Sequence, residues 1–244
     1  MSLTIGSLFS GIGGLELGLE RAGLGPVLWQ CEINPFARRV LAKHWPDATR
    51  YEDVRGIDEA TPRVDVICGG FPCQDISLAG KRASIEDGER SGLWSEYARI
   101  VRTLRPRFVI VENVAGLLGF GFGRVLGDLA ACGYDTQWDC IPASALGACH
   151  VRDRVFVVAH DCGERGARFV QPSIPRVASL SWREDERGLA YFGDGPAIHT
   201  PKLCRASDGV PDWLDRLHAI GNAVVPQVAE VVGRVVWAMA ESTQ

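Results

Sequence analysis

Val64-Asp65-Val66-Ile67-Cys68-Gly69-Gly70-Phe71-Pro72-Cys73 is the stretch whose reading decides the fold. Its first five residues are mostly apolar and β-branched, the composition of a short buried strand. Two glycines and a proline then force a sharp turn, because Gly accepts backbone angles that other residues avoid and Pro fixes its own. The turn predicts that Cys73 stands at the open end of a sheet, where the loops of an α/β domain carry chemistry. A thiol in that position is a candidate nucleophile if its surroundings favour the thiolate. The competing reading is an inert core cysteine, the commoner fate of this residue type.

Working outward, apolar runs alternate with helix-like stretches. Leu3 to Phe9 reads as a strand, Gly13 to Ala22 as an amphipathic helix closed by Gly23, and Val27 to Glu32 as a second strand. Pro35 opens a helix reaching about His44, and further strands are read at Phe108 to Glu112 and Val155 to Ala159. Helices are expected over Leu93 to Leu104 and about Arg124 to Cys132, with a last one over Val224 to Ala240. Strands alternating with helices imply crossover connections, so the expected class is α/β, a doubly wound and mostly parallel sheet with helices on both faces. Periodicity fades from Asp161 to about Pro211, where Gly, Pro and Ser accumulate around Trp182, Tyr191 and Phe192. That stretch reads as a small irregular subdomain (161–211) interrupting a main domain made of 1–160 and 212–244.

Composition narrows the class. Hydrophobic residues at 46% and charged residues at 23% of 244 positions are ordinary for a soluble globular chain. No secretory signal and no segment long enough to span a membrane is read from the sequence, which points to a cytoplasmic protein. The eight cysteines include no Cys-x-x-Cys pair, so reduced thiols are expected rather than disulfides, and no metal site. A net charge of −4 argues against coating nucleic acid by bulk charge, but leaves local basic patches open. Lys81, Arg82, Arg90, Arg176, Arg183, Arg187, Lys202 and Arg205 are candidates for one.

The strand ends also suggest a cofactor. Phe9-Ser10-Gly11-Ile12-Gly13-Gly14 lies where the first strand gives way to the first helix, and glycines there admit a ligand to the free N–H groups of the helix start. Glu32 ends the second strand, where an acid can take both hydroxyls of a ribose. Asp53 is expected beyond the third strand, where a carboxylate could accept an adenine amino group. Together they point to a nucleoside-containing cofactor, with NAD and S-adenosylmethionine both open on this reading.

The ordered motifs resemble those of the C5-cytosine DNA methyltransferases, and most closely the short, phage-type, Dcm-like members. Phe9-Ser10-Gly11-Ile12-Gly13-Gly14 is similar to their first motif, Gly70-Phe71-Pro72-Cys73-Gln74 to the catalytic one, and Glu112-Asn113-Val114 to the Glu-Asn-Val motif. Arg152-Asp153-Arg154 and Gly221-Asn222-Ala223-Val224-Val225-Pro226 are similar to the arginine motif and the last motif. Ser7 stands where members often carry an acid, His150 where Gln is usual, and the variable region is short.

The resemblance implies a Rossmann-like fold that binds S-adenosylmethionine and releases S-adenosylhomocysteine. It implies that Cys73 attacks carbon 6 of a cytosine flipped out of double-stranded DNA, with Glu112 and Arg154 holding the base and Arg152 supporting Arg154 or gripping a phosphate. The cofactor would lie against Phe9, Ser10, Gly11, Gly13, Gly14, Glu32, Ile33, Asp53, Val54, Pro72, Asn222 and Ala223. Gln74, Ser77 and Arg82 would meet DNA, and 161–211 would read the target sequence. A monomer is expected, with a restriction endonuclease as genetic partner. The rivals are an RNA-methylating relative, a non-catalytic DNA-binding regulator and an NAD-dependent oxidoreductase. Retention of Cys73, Glu112, Arg152 and Arg154 argues against the last two, and the absence of a Cys-Phe-Thr signature against the first.

Overall fold

The computed structural model describes residues 2–72, 92–119, 121–148, 150–161, 182–184, 190–192 and 219–242. Seven strands form one sheet in the order β3-β2-β1-β4-β5-β7-β6. They are β1 (Ile5–Leu8), β2 (Val27–Cys31), β3 (Thr49–Tyr51), β4 (Val66–Gly69), β5 (Phe108–Val114), β6 (Tyr134–Pro142) and β7 (Asp153–Asp161). The first five run parallel, and β7 is antiparallel to both β5 and β6. Two short antiparallel strands, β8 (Trp182–Glu184) and β9 (Ala190–Phe192), form a separate pair within 161–211.

Alternating residues of the central strands feed two cores, as expected where both faces of a sheet are covered. On one face Leu8, Trp29, Ile67, Val109 and Val157 pack under α3 (Gly92–Leu104) and α4 (Phe122–Ala131). On the other, Ile5, Val66, Ile110 and Val158 pack under α1 (Gly14–Arg21) and α5 (Pro226–Ser242). The helix α2 (Pro35–His44) begins with Asn34 as its N-cap, whose side chain accepts from the Phe36 and Ala37 amides.

The α1–α5 contact is unusually close. A Cβ at Gly14 would overlap the Val224 carbonyl, one at Gly18 would overlap Ala229, and one at Gly233 would lie 2.6 Å from the Cβ of Ala22. This seam joins the start of α1 to the segment before α5.

Three sequence expectations change. Ala219–Ser242, which contains α5, is long and apolar enough by length and composition to cross a membrane, although no such segment was read from the sequence. Val228, Ala229, Val232, Gly233 and Val236 are nonetheless buried, so α5 serves as a core helix here. Its start falls at Pro226 rather than Val224, because proline suits the first helical position, where its missing N–H costs nothing. Finally, β6 is an edge strand that periodicity did not reveal, since most of its side chains are exposed or half-exposed.

Candidate active site

The chain brings its motifs to the carboxyl edge of the parallel strands, where open α/β sheets place their ligands. Phe9 to Gly13 follow β1, Glu32 and Ile33 follow β2, Asp53 and Val54 follow β3, and Gly70 to Pro72 follow β4. Cys73, Gln74, Ser77 and Arg82 lie outside the described residues, as do all but β8 and β9 of 162–211.

Glu112 is the buried acid of the site. It sits on β5 opposite Phe156 of β7, while Arg154 sits opposite Val114. Glu112 and Arg154 are therefore diagonal neighbours on one face of an antiparallel pair, within reach of long side chains. Nε of Arg154 lies 3.1 Å from Oε1 of Glu112, and Nη1 of Arg154 donates to the Asp153 carbonyl at 2.9 Å. Burial pushes the Glu112 carboxyl upward, outweighing the opposing pull of Arg154 and Arg152. The result is an acid held toward its neutral form beside a fixed cation. On its other side, Oε2 of Glu112 rests over Gly70, where a Cβ would lie 2.5 Å away. A side chain there would have to displace that oxygen.

Asn113 holds the neighbouring turn. Its Nδ2 donates to the Phe71 carbonyl at 3.0 Å, and its Oδ1 accepts from the Val114 amide at 2.8 Å. The Phe71 ring packs on Trp94 with centroids 5.2 Å apart, and Trp94 stacks on Tyr97 at 5.4 Å. Trp94 Nε1 donates to Asp128 at 2.8 Å, and Tyr97 donates its hydroxyl to the Ile110 carbonyl at 3.0 Å. The backbone two residues before Cys73 is thus anchored from β5 and α3. Sequence reasoning quoted Asn113 within a motif but gave it no role, and a side chain that acts on a main-chain carbonyl leaves no composition signal.

Arg152 lies near enough to Glu112 and Arg154 to act on both electrostatically, and its hydrogen bonds go to a further segment. Its backbone has φ +36°, and its terminal nitrogens donate to the carbonyls of Gly221 at 2.8 Å and Ala223 at 2.6 Å. It ties the strand that carries Arg154 to the segment containing Asn222 and Ala223.

The cofactor candidates form a second cluster at the same edge. Phe9, Gly11 and Gly13 have φ of +54°, +56° and +86°, so the loop after β1 curls back on itself. The site of a Cβ at Gly11 opens to free space. Glu32 closes the loop from β2, its two oxygens accepting from the amides of Gly11 and Asn34, each at 2.8 Å. Arg38 donates to the Glu32 and Ile33 carbonyls at 3.2 and 2.9 Å and pairs with Glu52 at 3.1 Å, linking this loop to the one after β3. Ile33 leaves 71% of its surface exposed beside Glu32, and Asp53 caps Arg55 with one oxygen. A carboxylate with spare lone pairs, an exposed apolar side chain and a glycine cradle fit a nucleoside.

Comparisons with known proteins agree with this geometry. Residues 3–179 match the family described as C-5 cytosine-specific DNA methylase. The Type II methyltransferase M.Bsp6I of Bacillus sp. (strain RFL6) is 31% identical over 212 residues, covering 82% of this chain and 67% of its own. The Type II methyltransferase M2.BsuMI of Bacillus subtilis (strain 168) is 36% identical over 161 residues, covering 63% of this chain and 41% of its own. The matched stretch spans less than half the length of several curated relatives, M2.BsuMI among them. The fold extends to the Entamoeba histolytica methyltransferase EhMeth, with TM-score 0.69 and 15% identity over 98% of this chain and 99% of that one. The chain belongs to the C-5 cytosine-specific DNA methylase family.

Proposed function

We propose that the chain is a DNA (cytosine-5-)-methyltransferase. The observation that carries the reading is the buried Glu112, pushed toward its neutral form, paired with Arg154 and resting on Gly70 three residues before Cys73. A neutral carboxyl can donate to ring nitrogen 3 of cytosine and accept from the exocyclic amine, and the guanidinium of Arg154 can donate to the ring carbonyl oxygen. The base must leave the helix to reach them.

The Cys73 thiolate forms a bond to carbon 6 of the flipped cytosine while Glu112 moves its proton toward nitrogen 3, which raises electron density at carbon 5. The chemistry S-adenosylmethionine would supply when bound is an electrophilic methyl group for carbon 5, its sulfonium leaving as the thioether of S-adenosylhomocysteine. Loss of the carbon 5 proton to a base then re-forms the ring double bond and releases Cys73 as thiolate, and Glu112 recovers its proton. Glu32, Ile33, Asp53, Val54, Pro72, Asn222, Ala223 and the Phe9–Gly14 loop hold the cofactor. Asn113 and Arg152 act as positioning residues, one on the Cys73 turn and the other on the last motif.

Double-stranded DNA is the proposed partner. Gln74, Ser77 and Arg82 contact it, 161–211 reads sequence through base edges, and 1–160 with 212–244 forms the catalytic domain. The enzyme acts as a cytoplasmic monomer beside a restriction endonuclease. The test is expression of the chain and its Cys73→Ser variant in a host lacking cytosine methylation, followed by a genome-wide map of 5-methylcytosine. Methylation at a short motif with the chain, and none with the variant, is expected. An unmodified genome with folded protein present would overturn the reading.

A further inference from the structure

Beneath the Phe9–Gly13 loop lies a polar cluster that no step above uses. Ser7 of β1 pairs in register with Gln30 of β2 and with Cys68 of β4, so the three form one row across the sheet. Over that row, from the first turn of α1, stands Glu16, fully buried. Its Oε1 accepts from Gln30 Nε2 at 3.4 Å, and the carboxyl lies beside the Ser7 and Ser10 hydroxyls. Ser10 in turn donates to the Ser7 hydroxyl at 2.9 Å. Where an acid is usual at position 7, this chain has Ser7 on the strand and a carboxyl facing it from the helix.

Two atoms of the cluster have no hydrogen-bond partner: Oε2 of Glu16 and Oε1 of Gln30. Both are acceptors if Glu16 is ionised, and each would then be a buried oxygen without a donor, at a cost of about 1–3 kcal/mol. If Glu16 carries a proton, Oε2–H becomes a donor and Gln30 Oε1 the acceptor it lacks. The acid and the amide then form a cyclic pair with two complementary hydrogen bonds, and both orphans are satisfied.

We propose that Glu16 is a neutral carboxylic acid paired with the Gln30 amide, and that through Ser7 and Ser10 it positions the cofactor loop. The inference rests on the proposed S-adenosylmethionine site for its functional half. Burial acts in the same direction, pushing the Glu16 acid upward against the opposing influence of the nearby polar groups of Ser7, the Glu16 backbone, Ser10 and Gln30. The titratable neighbour from β4 is Cys68, whose thiol burial also holds protonated, so it brings no cation to Glu16.

The sign of the pH dependence follows. A glutamate raised in the folded state stabilises most below its unfolded value, about 4.3, and that stabilisation is lost as pH rises toward the folded value. Glu16→Gln removes the titration but reproduces the cyclic pair, its own N–H meeting Gln30 Oε1. Glu16→Leu removes both bonds.

The test uses the full chain and these two variants, with Tm measured from pH 5 to 9 and S-adenosylmethionine binding by calorimetry at pH 7 and 9. The excess of the Glu16→Gln Tm over wild type is expected to grow with pH. A protonated-carboxyl carbonyl stretch in the infrared spectrum should vanish in the variant. Cofactor affinity of Glu16→Gln should stay within about twofold of wild type at pH 7, and that of Glu16→Leu should fall by about tenfold or more. A flat Tm difference, an unfolded Glu16→Gln protein, or a tenfold loss of binding in Glu16→Gln at wild-type Tm would each overturn the proposal. If wild type itself fails to bind S-adenosylmethionine, the proposed function and the loop-positioning role fall together. The Tm and infrared readings then still decide the protonation state.

Discussion

The carboxyl of Glu112 rests on the α-carbon of Gly70: a side chain at 70 would begin 2.5 Å from Oε2. The end of β4 thus provides the floor for an acid supplied by β5, and the turn that leads to Cys73 passes directly beneath it. Register between β4 and β5 brings this about, with Gly69 opposite Val111. The two motifs meet because their strands are neighbours, one residue past the paired ends.

Gly70→Ala is therefore expected to displace Glu112 rather than the cofactor. Overpacking at such a site costs about 1–3 kcal/mol. Turnover should fall about tenfold or more, because an acid displaced from its proton acceptor loses its catalytic contribution. S-adenosylmethionine affinity should not change, and single-turnover methylation beside calorimetric titration separates the two.

Glu112 sets a pH dependence with a definite sign. Burial raises its folded value and the neutral acid is the working form, so kcat should decline as pH rises through that value. Glu112→Gln keeps a donor but cannot transfer its proton. A loss of about 10²–10⁴ in kcat is expected, with the alkaline decline abolished. A pH–kcat profile of both proteins checks this.

The two arginines should separate in kinetics. Arg152 holds the Gly221 and Ala223 carbonyls, so Arg152→Ala is expected to raise KM for S-adenosylmethionine more than it lowers kcat. Lysine should not rescue it, since a point ammonium does not replace a planar fork on two carbonyls. Arg154→Ala removes the cation beside Glu112 and should act mainly on kcat. Initial-rate kinetics varying cofactor and DNA independently measure both.

Much of this was legible in the sequence where burial is strong. Val64 to Cys68, Phe108 to Glu112 and Val155 to Ala159 are read as strands because their apolar runs supply both cores, and all lie within or overlap strands of the sheet. The polar β6 was not legible: strand pairing with β7, rather than its own pattern, holds it in place. At the site, the positions of Glu112 and Arg154 followed from motif order, but their diagonal pairing required the antiparallel β7. The bonds of Arg152 to Gly221 and Ala223 were not legible, because they depend on a left-handed backbone that no local pattern announces. Asn113 and Glu16 were passed over for a related reason, since each acts on groups brought near only by the fold.

The α1–α5 seam should be intolerant of side chains. Gly18→Leu and Gly233→Leu each force the helices apart, and a cost of about 1–3 kcal/mol is expected, or roughly 2–12 °C in Tm for a chain of this size. Differential scanning calorimetry gives the shifts. Gly23→Ala, just past the C-terminal end of α1, is the contrast: it meets no neighbour, and its effect should come from its positive φ alone.

The central claim is that Cys73 bonds to a cytosine held by Glu112 and Arg154. It is tested most directly with random-sequence duplex DNA carrying 5-fluorocytosine, incubated with the chain and S-adenosylmethionine and analysed by denaturing mass spectrometry. Fluorine at carbon 5 cannot leave as the proton does, so the enzyme should be trapped as a covalent adduct mapping to Cys73 and missing in Cys73→Ser. Methylation of ordinary cytosine by the chain with no adduct on the fluorinated duplex, or by Cys73→Ser at the wild-type rate, would contradict it.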